Sequence, residues 1–109
     1  MADNSADKSE LADIRLLASE PSRVELTTTA LYDLMGAELT KNDVCREILA
    51  WIDSGERMKK VVLRGRHAGQ VAFEMKPRIN KTLFYVKVTR RGLDEQEPHL
   101  LIISAHPNH

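Results

Sequence analysis

A chain of 109 residues with 42% apolar content holds enough material for one domain with a modest core. A single cysteine excludes an internal disulfide framework and a multi-cysteine metal site, and no apolar run is long enough to span a membrane. The acidic, polar start from Met1 to Glu10 is unlike a secretory signal, so a cytoplasmic protein is expected, with residues 1–9 a disordered tail and 10–109 one domain.

The formal net charge is zero, but the total hides a segregation. Residues 1–56 carry five Lys/Arg against twelve Asp/Glu. Residues 57–91 carry eleven Lys/Arg and one acid, Glu74. Residues 92–109 carry three acids and no Lys or Arg. A solvated face normally mixes signs. A one-sign block attracts a polyanion.

The first half reads as helices. Leu11, Ile14, Leu17 and Ala18 recur at helical spacing over 10–19, and Pro21 ends that helix. A short helix is expected from Thr28, with Ala30, Leu31, Leu34 and Met35 on its apolar face and Gly36 at its C-terminal cap. Thr40 with Asp43 three residues on predicts the N-terminus of a third helix. Val44, Ile48, Leu49 and Ile52 lie on one face, and Ser54-Gly55 closes it. Cys45, beside Val44, reads as buried filler, and Trp51 as a cap on the core.

The second half reads as strands. Lys59–Arg66 contains Val61-Val62-Leu63, and His67-Ala68-Gly69 is expected to turn. In Gln70–Met75, Val71, Phe73 and Met75 alternate with Gln70, Ala72 and Glu74. Pro77 bounds that strand, and Asn80-Lys81 turns into Thr82–Thr89. There Phe84, Val86 and Val88 oppose Leu83, Tyr85, Lys87 and Thr89, so Tyr85 and Lys87 are expected to face away from the helices. After the acidic loop Gly92–Pro98, Leu100–Ala105 makes a last apolar strand. The predicted class is α+β, with N-terminal helices on one face of a mostly antiparallel C-terminal sheet.

Such a face suits RNA. Lys59 or Lys60, Arg64, Arg66, Arg78, Lys81 and Lys87 could neutralise phosphates, and Tyr85 could stack on an exposed base. His106 follows the last strand, where a histidine could act as acid or base. The four histidines make no compact metal-ligand pattern, and no acid pair is arranged for hydrolysis.

Taken in order, these pieces resemble the MqsR-type bacterial mRNA interferases, toxins of type II toxin–antitoxin pairs with a RelE-like fold. The resemblance covers roughly residues 11–106. It is carried by Thr27-Thr28-Thr29-Ala30-Leu31, by Leu39-Thr40 with Val44-Cys45 and Ile48-Leu49, and by the lysine that opens the sheet. Its most specific part is Lys76-Pro77-Arg78-Ile79 followed by Phe84-Tyr85-Val86-Lys87-Val88, and it closes on Leu101-Ile102-Ile103-Ser104.

What the resemblance implies is metal-independent and cofactor-free cleavage of mRNA, in related toxins often on the ribosome, with the ribose 2′-hydroxyl as nucleophile. It also implies a cognate antitoxin protein as partner. Carried over position by position, the catalytic lysine is Lys60, or Lys59 by a one-residue shift, and the tyrosine is Tyr85. The family's glutamine falls near Gln70–Ala72, where Gln70 alone has the side chain, two residues off an ungapped match. A C-terminal family lysine falls at His106, and the family's sheet tryptophan is absent near Val71. Lys59, Arg64, Arg66, Arg78 and Lys87 are the expected phosphate grips. The rival expectation is a non-catalytic RelE-like module that binds RNA or an acidic protein.

Overall fold

The architecture was obtained as a computed structural model, which describes residues 4–65, 70–92 and 97–108. Three helices, α1 (Lys8–Ala18), α2 (Thr28–Gly36) and α3 (Lys41–Asp53), precede most of a sheet. Its strands are β1 (Val24–Leu26), β2 (Lys59–Val62), β3 (Val71–Met75), β4 (Arg78–Ile79), β5 (Thr82–Arg91) and β6 (His99–Pro107). The order across the sheet is β1-β6-β5-β3-β2, with β4 paired to β5. Among the described residues every strand pairing is antiparallel except β1 with β6. The α+β class with helices on one face is what the periodicities predict.

Helix starts follow from side-chain oxygens that meet the otherwise unpaired first N–H groups. Asp7 with Glu10 and Thr40 with Asp43 each form a reciprocal capping box. Thr27 caps α2 by accepting from the Ala30 N–H at 3.1 Å. The end of α2 departs from expectation. Gly36 is its last helical residue, and the left-handed residue of the exit turn is Glu38, with φ 59°.

The apolar stripes meet over one sheet face. Ile14, Leu17 and Ala18 of α1, Ala30 and Leu34 of α2, and Val44, Cys45 and Ile48 of α3 are buried. They pack with Phe73, Met75, Phe84, Val86, Val88, Leu100, Ile102 and Ala105. Trp51 is half-buried beside this core, its indole N–H donating to the Arg57 carbonyl at 3.1 Å.

β1, the two-residue β4 and the pairing of the segment before α1 were not legible as strands. β1 is three residues long and parallel, and it turns β6 into an interior strand. A free tail over residues 1–9 was expected, but α1 begins at Lys8 and the segment before it is tied to the edge of β2. The Ala6 N–H donates to the Met58 carbonyl at 2.9 Å, and the Lys60 N–H to the Asn4 carbonyl at 2.6 Å. An exposed strand edge offers unpaired backbone groups, and this short pairing satisfies some of them. The expected His67-Ala68-Gly69 turn lies outside the described residues.

Candidate nucleic-acid interface

The alternation of strand side chains sorts the basic block onto two surfaces. Lys60 and Arg90 turn to the helix side and meet the acids of α1. Lys60 Nζ lies 2.7 Å from a Glu10 oxygen, and Arg90 lies 2.8 Å from Asp13 and 3.7 Å from the other Glu10 oxygen. Arg90 also sits over the Phe73 ring at 5.6 Å. These two cations brace α1 against the sheet. The expectation of a catalytic Lys60 beside Tyr85 therefore gives way: Lys59, one residue earlier, is the lysine on the tyrosine's side.

That opposite face is a cross-strand grid. One row of paired positions runs Lys59, Glu74, Lys87, Ser104 across β2, β3, β5 and β6. Tyr85 pairs with His106 in the adjacent row. Beyond β3 the same alternation brings exposed Lys76 and Arg78 to this side, Arg78 opposite Leu83. The Asn80-Lys81 turn has positive φ at both residues, 50° and 69°, the type I′ geometry that matches strand twist. Lys81 is exposed at that tip.

His106 reaches this face because β6 is bulged. Val88 pairs with Ile102 and Lys87 with Ser104, so Ile103 is an extra residue. A bulge reverses the in–out phase of the residues after it. Leu100, Ile102 and Ala105 therefore face the core, while Ser104 and His106 face outward with Tyr85 and Lys87. Thr27 holds the bulge: its hydroxyl donates to the Ile103 carbonyl at 2.9 Å while also capping α2.

Only part of the face is open. Ala72, Thr89 and Leu101 stand on it and are nonetheless buried. The accessible part is the end that carries Lys59, Glu74, Lys76, Arg78, Tyr85, Lys87 and His106.

Tyr85 sits at the centre. Its hydroxyl donates to the Glu74 carboxylate. Burial first, then that hydrogen bond and the negative charge of Glu74, hold the phenol well above its ordinary pKa, so it stays protonated. His106 stacks on the Tyr85 ring with centroids 5.4 Å apart and planes 27° apart. Lys87 Nζ lies 5.8 Å from the same centroid. Stacking of Tyr85 on a base was expected. In the free protein His106 stacks on that ring, and the hydroxyl is engaged by Glu74.

A carbonyl oxygen can only accept, so the 2.9 Å contact between His106 Nδ1 and the Pro107 carbonyl places a proton on Nδ1. Nε2 is then the nitrogen left for a ligand. Beside Glu74 lies a cavity of about 220 Å³ lined by Trp51, Arg57, Lys59, Glu74, Met75 and Lys76.

Comparison with models of known families, with curated proteins and with solved structures finds no match.

The remaining candidate residues separate in space. Gln70 precedes β3 and is exposed, and the Leu63 N–H donates to its carbonyl at 2.8 Å. It stands four residues before Glu74 along the strand, roughly 13 Å at about 3.3 Å per residue. The polar β3 side chain at Tyr85 is Glu74, not Gln70. Arg64 is exposed beyond the end of β2, and Arg66 lies outside the described residues. Cys45 is buried, and desolvation pushes its thiol pKa up, which suits a packing role. Sequence reasoning does not mark Glu74 or Lys76 as site residues. Both are visible there, Glu74 as the one acid in the basic block. Their relation to Tyr85 appears once β3 is registered on β5.

Among the described residues no group of three His, Cys, Asp or Glu could hold a metal ion, and no helix is long and apolar enough to cross a membrane. A separate groove of about 630 Å³ lies between β1 and α2 and is lined by side chains including Leu26, Leu31 and Met35. It contains none of the candidate residues.

Proposed function

We propose that the protein is an endoribonuclease of the mRNA-interferase kind, which cuts single-stranded RNA through its own 2′-hydroxyl. The observation that supports this most is the gathering of Lys59, Lys76, Arg78 and Lys87 around Tyr85 and His106 on the accessible end of one sheet face. Cations there would hold the phosphate and stabilise the charge that develops on it, the largest expected contribution to rate. His106 Nε2 would give a proton to the leaving 5′-oxygen. The route uses side chains alone and calls for no metal or cofactor. The physiological substrate in this reading is mRNA in the cytoplasm, free or on the ribosome, and the brake is an antitoxin that covers the basic face.

The test is incubation of the purified protein with end-labelled RNA in the presence and absence of EDTA. The expected products end in a 2′,3′-cyclic phosphate and a 5′-hydroxyl, and His106→Ala lowers the rate at least about 100-fold. Intact RNA, free and on ribosomes, overturns the reading.

One observation favours a second reading, a binding module without catalysis. Lys60 is committed to Glu10, and Gln70 stands away from Tyr85, so two positions that the toxin resemblance fills with catalytic groups are displaced. Salt-sensitive retention of RNA without cleavage would select it.

A further inference from the structure

We propose that Glu74 is a positioning residue for RNA cleavage, taking the Tyr85 proton so that the tyrosine oxygen can receive the proton of a ribose 2′-hydroxyl. The inference rests on the nuclease reading and deepens it. The observation behind it is the hydrogen bond from the Tyr85 hydroxyl to the Glu74 carboxylate, inside an otherwise cationic patch. Glu74 is the single acid in the block 57–91, and it stands at the contact with the one aromatic hydroxyl of this face.

The groups that face Glu74 are Lys59 from β2, Tyr85 and Lys87 from β5, Lys76 beyond β3, and Arg57 and Trp51 across the shared cavity. A carboxylate oxygen is an acceptor, and Glu74 already accepts from the Tyr85 hydroxyl. Tyr85 is held protonated, so a free tyrosinate is no candidate base. It can take a proton only while giving one up, and Glu74 is the group hydrogen-bonded to it.

In the proposed step the 2′-oxygen attacks phosphorus while its proton passes to Tyr85 Oη. The proton already on Oη passes to Glu74. The bond from phosphorus to the 5′-oxygen breaks, and the leaving oxygen takes a proton from His106 Nε2 in the imidazolium form. The products are a 2′,3′-cyclic phosphate and a 5′-hydroxyl. Glu74 leaves protonated and His106 neutral, and exchange with water restores both.

The experiment uses the full chain and an RNA oligonucleotide that the wild-type protein cuts. Glu74→Gln keeps an acceptor for the Tyr85 hydroxyl but cannot take its proton. The expected result is a fall in kcat of roughly 10²–10³-fold with KM within about threefold, and loss of the acid limb of the pH–rate profile. In a Tyr32→Phe background only Tyr85 absorbs as tyrosinate, and Glu74→Gln is expected to lower its titration midpoint. Should Glu74→Gln fail to fold, Glu74→Asp decides: a reduced kcat with the acid limb retained supports the proposal. A wild-type kcat and pH profile in either variant overturns it while the nuclease reading stands. Failure of the wild-type protein to cut RNA overturns the nuclease reading itself.

Discussion

Lys59 and Lys60 are neighbours in the chain and belong to different surfaces. Lys60 holds Glu10 on the helix side, where both side chains are partly shielded, whereas Lys59 is exposed beside Glu74. Methionine keeps most of the length of lysine and removes the charge. Lys59→Met is therefore expected to weaken binding of a single-stranded RNA several-fold with little change in stability. Lys60→Met is expected to leave binding closer to wild type and to cost about 1 kcal/mol of stability. Fluorescence anisotropy and urea denaturation separate the two effects, and equal loss of binding in both variants would contradict the sorting. At the same scale, the pairing of Tyr85 with Glu74 changes what a tyrosine means here. Its ring is engaged by His106, and its hydroxyl by Glu74.

At the scale of elements, the site depends on a bulge and on what fixes it. Thr27 satisfies the extra carbonyl of β6 and caps α2 with the same oxygen. Thr27→Val keeps the shape and removes both interactions. The expected cost is about 2–3 kcal/mol, one cap plus one stranded carbonyl. Cleavage is expected to fall further than the loss of folded protein, because a β6 without the bulge turns His106 toward the helices. Thermal melts with single-turnover rates on the folded fraction check this. The α3 cap carries a pH dependence. Hydrogen bonds from the Thr40 backbone and hydroxyl hold the Asp43 carboxyl below its ordinary pKa. A lowered folded pKa contributes stability above the unfolded value and loses it as pH falls through the folded value. The stability gap between wild type and Asp43→Asn is therefore present near neutral pH and closes as pH falls below about 4. Urea midpoints from about pH 6 to about pH 2 test it, and a gap that persists in acid would sink the assignment.

For the whole molecule, zero net charge is compatible with a polyanion partner because the charges are separated by face. The acids of α1 are matched to Lys60 and Arg90, and Arg15 meets Asp53 at 2.7 Å on the helical side. Lys59, Lys76, Arg78 and Lys87 remain on the other face. If these four meet phosphates of a single strand, log K against log salt has a slope of about −3. The double variant Arg78→Glu with Lys87→Glu is expected to cut that slope by at least half. A slope near zero in the wild type would rule out a phosphate-gripping face.

The three helices, the four longer strands in their order, the inward faces of α1 and β5, the N-terminal cap of α3 and the Asn80-Lys81 turn were determined by the sequence alone. Each is set by local spacing and by the conformational limits of single residues. So was the outward aim of Tyr85 and Lys87, because a strand alternates strictly between its faces. Leu31 and Met35, by contrast, read onto the apolar face of α2 and are exposed. The tertiary structure decided which lysine joins them, that Glu74 rather than Gln70 meets the tyrosine, and that His106 turns outward. All three depend on cross-strand register and on a one-residue bulge pinned by Thr27, 76 positions away in the chain. Register arises from pairing between distant segments, and no local spacing encodes it.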